Sequence, residues 1–229
     1  MKNLFYSLLI FPLSLFGQNY SLDFSYGNYG RIPTSETLSN FESFTMEFWY
    51  YHTSVSNDDE HIVGTEYFGG NRYVMGSHNG RLWPRISDGN NGIGPVDYYS
   101  GSITNQYLAN TWTHLAMSYN GEVLSFFING ELIDSEEGQI ASFGPINEYL
   151  VINRHTWDTG SSSRLTGQID ELRISNTARY SNNFIPQTEE FISDEFTAGL
   201  WHFNNDFNDY SGNGNHGTHV GTSYSENTP

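Results

Sequence analysis

The segment Phe44-Thr45-Met46-Glu47-Phe48-Trp49-Tyr50-Tyr51 constrains the fold more than any other. Phe44, Met46, Phe48 and Tyr50 alternate with Thr45, Glu47, Trp49 and Tyr51. A period of two gathers one apolar face only in a β-strand, where successive side chains point to opposite sides. Such a strand needs hydrogen-bonded neighbours and a second layer over its apolar face. The rest of the chain offers both. Thr113, Leu115, Met117 and Tyr119 alternate in the same way with Trp112, His114, Ala116 and Ser118. Asn120-Gly121 is a strong two-residue hairpin signal. The chain returns through Leu124, Phe126 and Ile128, and Asn129-Gly130 turns it again into Glu131–Ser135.

Further strands are expected at Tyr20–Phe24, at Ile32-Pro33, over 61–66, 72–77 and 81–87, at Tyr149–Asn153 and at Gly167–Ser175. Pro33 marks an edge or a strand end. Gly69-Gly70-Asn71 and His78-Asn79-Gly80 read as hairpin turns, and 52–60, 88–110 and 154–164 as long polar loops. About a dozen short strands with no helix imply an all-β fold of two stacked antiparallel sheets.

Residues 1–18 read as a secretory signal peptide: Lys2, an apolar run from Leu4 to Phe16, then the small residue Gly17. The run is shorter than the roughly 17–25 residues of a spanning helix, so no membrane insertion is expected after cleavage. The localisation implied is secretion or the cell surface. There is no cysteine, which fits bacterial export better than animal secretion and leaves stability to the core or to metal ions. The formal net charge of −17 disfavours nucleic acid and anionic membranes as partners, and attracts hard cations.

Five segments in order resemble a known family. They are Leu22-Asp23-Phe24 with Gly27 and Tyr29; Phe44 to Trp49; Trp112 to Ala116 with Tyr119-Asn120-Gly121 and Phe127 to Gly130; Gly167 to Ser175; and Ala178-Arg179-Tyr180 with Phe184 and Pro186. Together they are similar to the laminin G-like, concanavalin A-like jelly-roll domains of bacterial secreted proteins. The resemblance implies a domain over 19–187 and a glycan-binding or adhesion module. Its partner would be a polysaccharide, a glycoconjugate, or a matrix or cell-surface protein. A structural spacer without its own ligand is the alternative, and a jelly-roll glycoside hydrolase a further one. Residues 188–229 read as an acidic linker and the possible start of a second, truncated domain of this kind, or else as an added edge strand.

For sugar binding, rings with an outward face and planar polar neighbours are needed. Trp49 and Glu47 share the non-core parity of one strand, Trp112 and His114 that of another. Arg154, His155, Trp157 and Asp158 form the densest mixed cluster. Strand parity groups Asp170 with Leu172 and Ile174, aimed at the core, where a carboxylate needs a proton, a cation or a partner such as Arg173; a β-bulge that turns it to solvent is the alternative. The resemblance implies a structural Ca²⁺ at Asp170, its shell completed by carbonyls near Tyr26 and Asn28 and by Asp23. Asp209 to Asn215 has the spacing of a Ca²⁺ loop but Val220 where the bidentate Glu belongs, and reads as a turn. Paired carboxylates across a cleft are what glycoside hydrolysis requires. No strand shows that spacing, so no catalytic residue is expected.

Overall fold

The computed structural model describes residues 19–25, 27–53, 59–65, 71–78, 81–88, 92–93, 109–140, 149–154 and 165–229. The described residues form two antiparallel sheets. The first sheet contains β1 (Ser21–Phe24), β3 (Phe44–His52), β8 (Trp112–Tyr119), β9 (Val123–Ile128), β10 (Glu131–Glu137), β12 (Gly167–Ser175), β13 (Thr197–Trp201) and β15 (Ser223–Ser225). The second contains β2 (Tyr29–Pro33), β4 (Asp59–Thr65), β5 (Asn71–His78), β6 (Arg81–Asp88), β7 (Gly92–Ile93), β11 (Tyr149–Ile152) and β14 (Thr218–Val220). Its order is β14-β2-β11-β4-β5-β6-β7, and that of the first is β10-β9-β8-β3-β12-β1-β15. The only helix among the described residues is one 3₁₀ turn, Glu36–Leu38.

The alternating residues do what their period requires. Phe44, Met46, Phe48 and Tyr50 join Leu115, Met117, Tyr119 and Phe126 on the inner face of the first sheet. Ile32, Ile152, Tyr73, Met75 and Ile86 face them from the second. The expected strands are present, with β7 as an addition inside a stretch that reads as loop.

Strand β12 organises the first sheet. One side pairs with β3 along its length. The other is shared end to end: β1 takes Gly167 to Ile169, and β13 takes Leu172 to Ser175. The changeover is a β-bulge, where the pairing with β3 skips from Asp170 opposite Trp49 to Arg173 opposite Glu47. Glu171 adopts φ 52 there, a left-handed conformation uncommon for a residue other than glycine. The bulge reverses side-chain parity. Ile169, Leu172 and Ile174 all face the core, while Asp170 turns to the outer face with Trp49. The expectation that Asp170 points between the sheets is corrected by this extra residue.

Residues 197–225 contribute strands to both sheets, as the edge-strand reading expects, with three strands instead of one. β14 pairs with β2 and β15 with β1, which covers an edge of each sheet. Between them Trp201, Phe203 and Phe207 enter the main core. Phe207 packs flat on β2, where a Cβ at Gly30 would stand 2.8 Å from its ring. Trp201 is fully buried and its Nε1 donates to the Asn215 carbonyl at 2.9 Å. The Trp201→Ala variant should therefore lose about 3–5 kcal/mol, as large aromatic truncations in cores do. Its main thermal transition should fall by roughly 10 °C. An unchanged transition would show that the tail folds apart from the sandwich.

Candidate functional site

Glu47, Trp49 and His114 occupy the outer face of the first sheet, as their parity requires, yet that face is covered. Residues 176–191 cross it as a strap. Thr45 Oγ1 donates to the Thr177 carbonyl at 2.8 Å, Phe184 N to Gly130 O at 2.9 Å, and Trp49 Nε1 to Gln187 O at 3.1 Å. Phe191 and Leu200 close over Trp49, with Trp112 half-buried beside them. Glu47 is 1% exposed and His114 is fully buried. The expectation that these residues form an open sugar platform is thus corrected: rings sealed beneath a strap cannot stack on a ligand.

The sealed face is held by one carboxylate. Arg173 donates to Glu47 Oε1 through Nε at 2.9 Å and Nη2 at 2.7 Å. Tyr180, on the strap, donates to Oε2 at 2.8 Å, and His114 Nε2 lies 3.3 Å from the same oxygen. Burial pushes the Glu47 pKa up, but His114 and Arg173 outweigh it and hold the group at about 2. A carboxylate so placed is a permanent anion at neutral pH and cannot lend a proton to chemistry.

Asp170 is fully buried at the bulge. Its Oδ1 accepts from Glu171 N at 2.9 Å, and Oδ2 has no hydrogen-bond partner. Burial, then the charge of Glu171, pushes it up to about 9. Glu171 is engaged with His202 Nδ1 at 2.8 Å and with Phe191 N at 2.7 Å. The companions expected for Ca²⁺ do not assemble here. Asp23 Oδ2 accepts from Gln168 Nε2 at 3.0 Å, and the Asn28 carbonyl accepts from Asn153 Nδ2 at 2.9 Å. Tyr26 lies outside the described residues. The first loop follows Phe24, opposite Gly167, about three residues or roughly 10 Å along β12 from Asp170. Among the described residues no group of three or more His, Asp or Glu could hold a metal ion. The Asp209 loop is a turn: its carboxylate accepts from Leu200, Ser211 and Asn215 backbone N–H groups.

The arrangement best suited to a ligand lies on the outer face of the second sheet, and sequence reasoning found only one member of it. The Arg31 guanidinium stands 5.0 Å from the ring centres of both Tyr29 and Tyr149, and that of Arg154 stands 4.7 Å from Tyr29. The result is an alternating stack, Arg154–Tyr29–Arg31–Tyr149. Tyr149 is 37% exposed, Tyr29 and Arg31 are half-buried, and Arg154 is buried. Tyr29 and Arg31 are two apart on β2, and the antiparallel register of β11 brings Tyr149 opposite Pro33. The period Tyr29-x-Arg31 was legible, but its partner 118 residues downstream (149 − 31) was not. His155, Trp157 and Asp158 lie outside the described residues. A separate open cleft of about 650 Å³ is lined by Glu36, Asn40, Glu42, Asp194, Ser211 and Asn213. Its one aromatic neighbour, Phe41, is buried in the core, so it offers no ring for stacking.

The profile of the laminin G-like family described as the concanavalin A-like lectin/glucanases superfamily matches residues 24–183. The chain belongs to this superfamily. Among solved structures, this concanavalin A-like domain is similar to a candidate carbohydrate binding protein from Bacteroides ovatus, with TM-score 0.70 and 18% identity. That match covers 91% of the chain and 60% of the other, so the domain spans well under two thirds of that relative's length. A heptameric pentraxin from Limulus polyphemus matches with TM-score 0.50 and 12% identity, covering 79% of the domain's chain and 94% of the pentraxin. Domains LG4-5 of the mouse laminin α1 chain match with TM-score 0.51 and 12% identity, over 75% and 48% of the two chains. At these identities the likeness is one of fold. No curated protein matches the sequence.

The Glu47 cluster generates a test. A depressed carboxylate pKa contributes stability that is present above the unfolded value, near 4.5, and lost as pH falls through the folded value, about 2. Amide exchange protection of the strap should therefore weaken as pH drops below 4.5. Glu47→Gln should destabilise by about 3–5 kcal/mol, because it strands the buried Arg173, and should flatten that acid dependence. Denaturant midpoints at pH 3, 5 and 7 measure it; an unaltered acid limb in the variant would refute the assignment.

Proposed function

We propose that this domain is a non-catalytic carbohydrate-binding module whose contact surface centres on the exposed Tyr149, backed by the Arg31–Tyr29–Arg154 stack beneath it. The stack carries the reading. Tyrosine rings present apolar faces to sugar C–H surfaces, and guanidinium N–H groups donate to hydroxyls. Cation–π contact fixes both partners beforehand, which lowers the ordering cost of binding. Membership in a superfamily whose description joins lectins and glucanases supports the sugar, and the engagement of Glu47 supports the absence of catalysis. Its fold relative from Bacteroides ovatus, a candidate carbohydrate binding protein, is in keeping with the same reading. Action outside the cell follows from the leader-like residues 1–18, which lie outside the described structure.

The reading is tested by affinity electrophoresis against a panel of soluble polysaccharides. At least one should retard the protein, and Tyr149→Ala should weaken that binding about tenfold, the worth of one stacking ring. Absence of binding across the panel would favour a structural spacer. Measurable hydrolysis of any of them would overturn the non-catalytic reading.

A hard cation is proposed at Asp170, because its orphaned, buried Oδ2 fits one. With Asp23 Oδ2 bonded to Gln168 and the Asn28 carbonyl to Asn153, backbone carbonyls nearer the bulge would supply the other ligands. Bound there, Ca²⁺ would neutralise the carboxylate and stabilise the fold. Millimolar CaCl₂ should raise the melting temperature over EDTA in the wild type and leave Asp170→Asn unmoved. Equal melting of the wild type in both would leave a proton as the partner of Asp170.

A further inference from the structure

The strap and tail that cover the first sheet carry an exposed ring of their own. Tyr210 is 46% exposed, and its position is fixed from several sides. Its backbone N–H donates to the Leu200 carbonyl at 2.7 Å, and its hydroxyl donates to Asp206 Oδ2 at 2.9 Å. Behind the ring stands the imidazole of His202, 4.6 Å away between centres and tilted by 52°. His202 is itself held by Glu171, so the backing of the ring is anchored in β12. Two carboxylates stand beside the ring. Asp206 accepts from the Asn208 backbone N–H at 3.0 Å and from Asn208 Nδ2 at 2.7 Å. Glu190, exposed at the end of the strap, accepts from Asn204 Nδ2 at 2.6 Å through Oε1, and its Oε2 has no partner among the described residues. These contacts are amides and a hydroxyl, and none of them neutralises charge. The arginines of this half of the sandwich are spent elsewhere, Arg173 on Glu47 and Arg179 on Asp194. Burial, then Asp206, and more weakly Glu190 raise the Tyr210 pKa, so both negative charges bear on the ring.

We infer that this cluster is a second ligand site, which takes the ammonium group of an amino sugar against the Tyr210 ring, beside Asp206 and Glu190. The sugar rests on the carbohydrate reading, and the ammonium rests on the cluster itself. An ammonium group has three donors and no acceptor, which suits a rim of carboxylate oxygens. The face of a tyrosine ring attracts it through the ring quadrupole, and the same face packs against sugar C–H surfaces. A neutral sugar would gain the ring but leave both charges unpaired. The ring is held in place before any ligand arrives, so little freedom is lost on binding. The net charge of −17 draws cations toward the domain as a whole, and the Tyr210 cluster gives an amine one place to stop. Glu190, His202, Asp206 and Tyr210 all follow residue 183, where the match to the superfamily profile ends. The site is thus separate from the Tyr149 surface on the second sheet.

The experiment is isothermal titration at physiological salt and mildly acid pH, where sugar amines are charged. The probes are glucosamine oligomers, the same oligomers fully N-acetylated, and poly-lysine of matched charge. The free-amine oligomers should bind, and the acetylated ones should bind at least about tenfold more weakly, since acetylation removes the cation. Glu190→Gln and Tyr210→Ala should each weaken binding of the free-amine oligomers by a similar factor. Glu131→Gln makes the same change of charge on the exposed edge strand β10 and should leave that binding unchanged. Should Tyr210→Ala lower the melting temperature, Glu190→Gln and the acetylation comparison still decide. Equal binding of the free and acetylated oligomers, or an equal loss in Glu131→Gln, would overturn the inference. Equally tight binding of poly-lysine would reduce the cluster to a charge patch and overturn it as well. Binding of neither oligomer would remove this site alone, because the carbohydrate reading stands or falls with Tyr149 and the polysaccharide panel.

Discussion

The structure depends on how β12 is partnered. It is buried on both faces throughout its length, and it holds three neighbours although a strand has only two sides. The left-handed bulge at Glu171 makes that possible. On one side of the bulge β12 binds β1, and on the other β13, so the same backbone ladder secures the start of the domain and its tail. The bulge also aims the side chains of Asp170 and Glu171 to the outer face. Glu171 then anchors Phe191 of the strap and His202 beyond β13, while Arg173, two residues on, anchors Glu47. Strap, tail and sheet meet within four residues.

That concentration explains why the outer face of the first sheet is no binding surface. Its polar residues are joined to one another instead of to water. Glu47 accepts from Arg173 and Tyr180 with His114 Nε2 3.3 Å away, and Thr45 bonds both the strap carbonyl of Thr177 and the amide of Arg179. Tyr180 stacks on Phe184 at 3.6 Å, nearly parallel, above His114 and Phe127. Among the described residues, the second sheet carries most of the arginines and the exposed Tyr149.

Much of the fold was legible in the sequence because alternation is a local signal. Phe44 to Tyr51 and Thr113 to Tyr119 announce their faces without reference to anything else. Three features were not legible, each for a physical reason. A bulge at Ile169-Asp170-Glu171-Leu172 stays an open alternative to a core-facing Asp170 on sequence alone, since Glu171 has no intrinsic taste for positive φ that would place the extra residue. The strap has no periodicity, so the covering of Glu47, Trp49 and His114 could not be inferred from strands alone. The Tyr29–Arg31–Tyr149 stack needs the β2–β11 register, a non-local pairing. The family resemblance carried the superfamily correctly.

The edges of β1 have a kinetic meaning. Its residues reach Gln168 across 145 positions and Asn227 across 206. Neither neighbour is local, so every pairing of β1 closes a loop of well over a hundred residues. Loop closure over such separations is entropically expensive and makes β-sheet folding slow. The first strand of this domain thus carries an entropic cost of closure that the local hairpin β8–β9 does not.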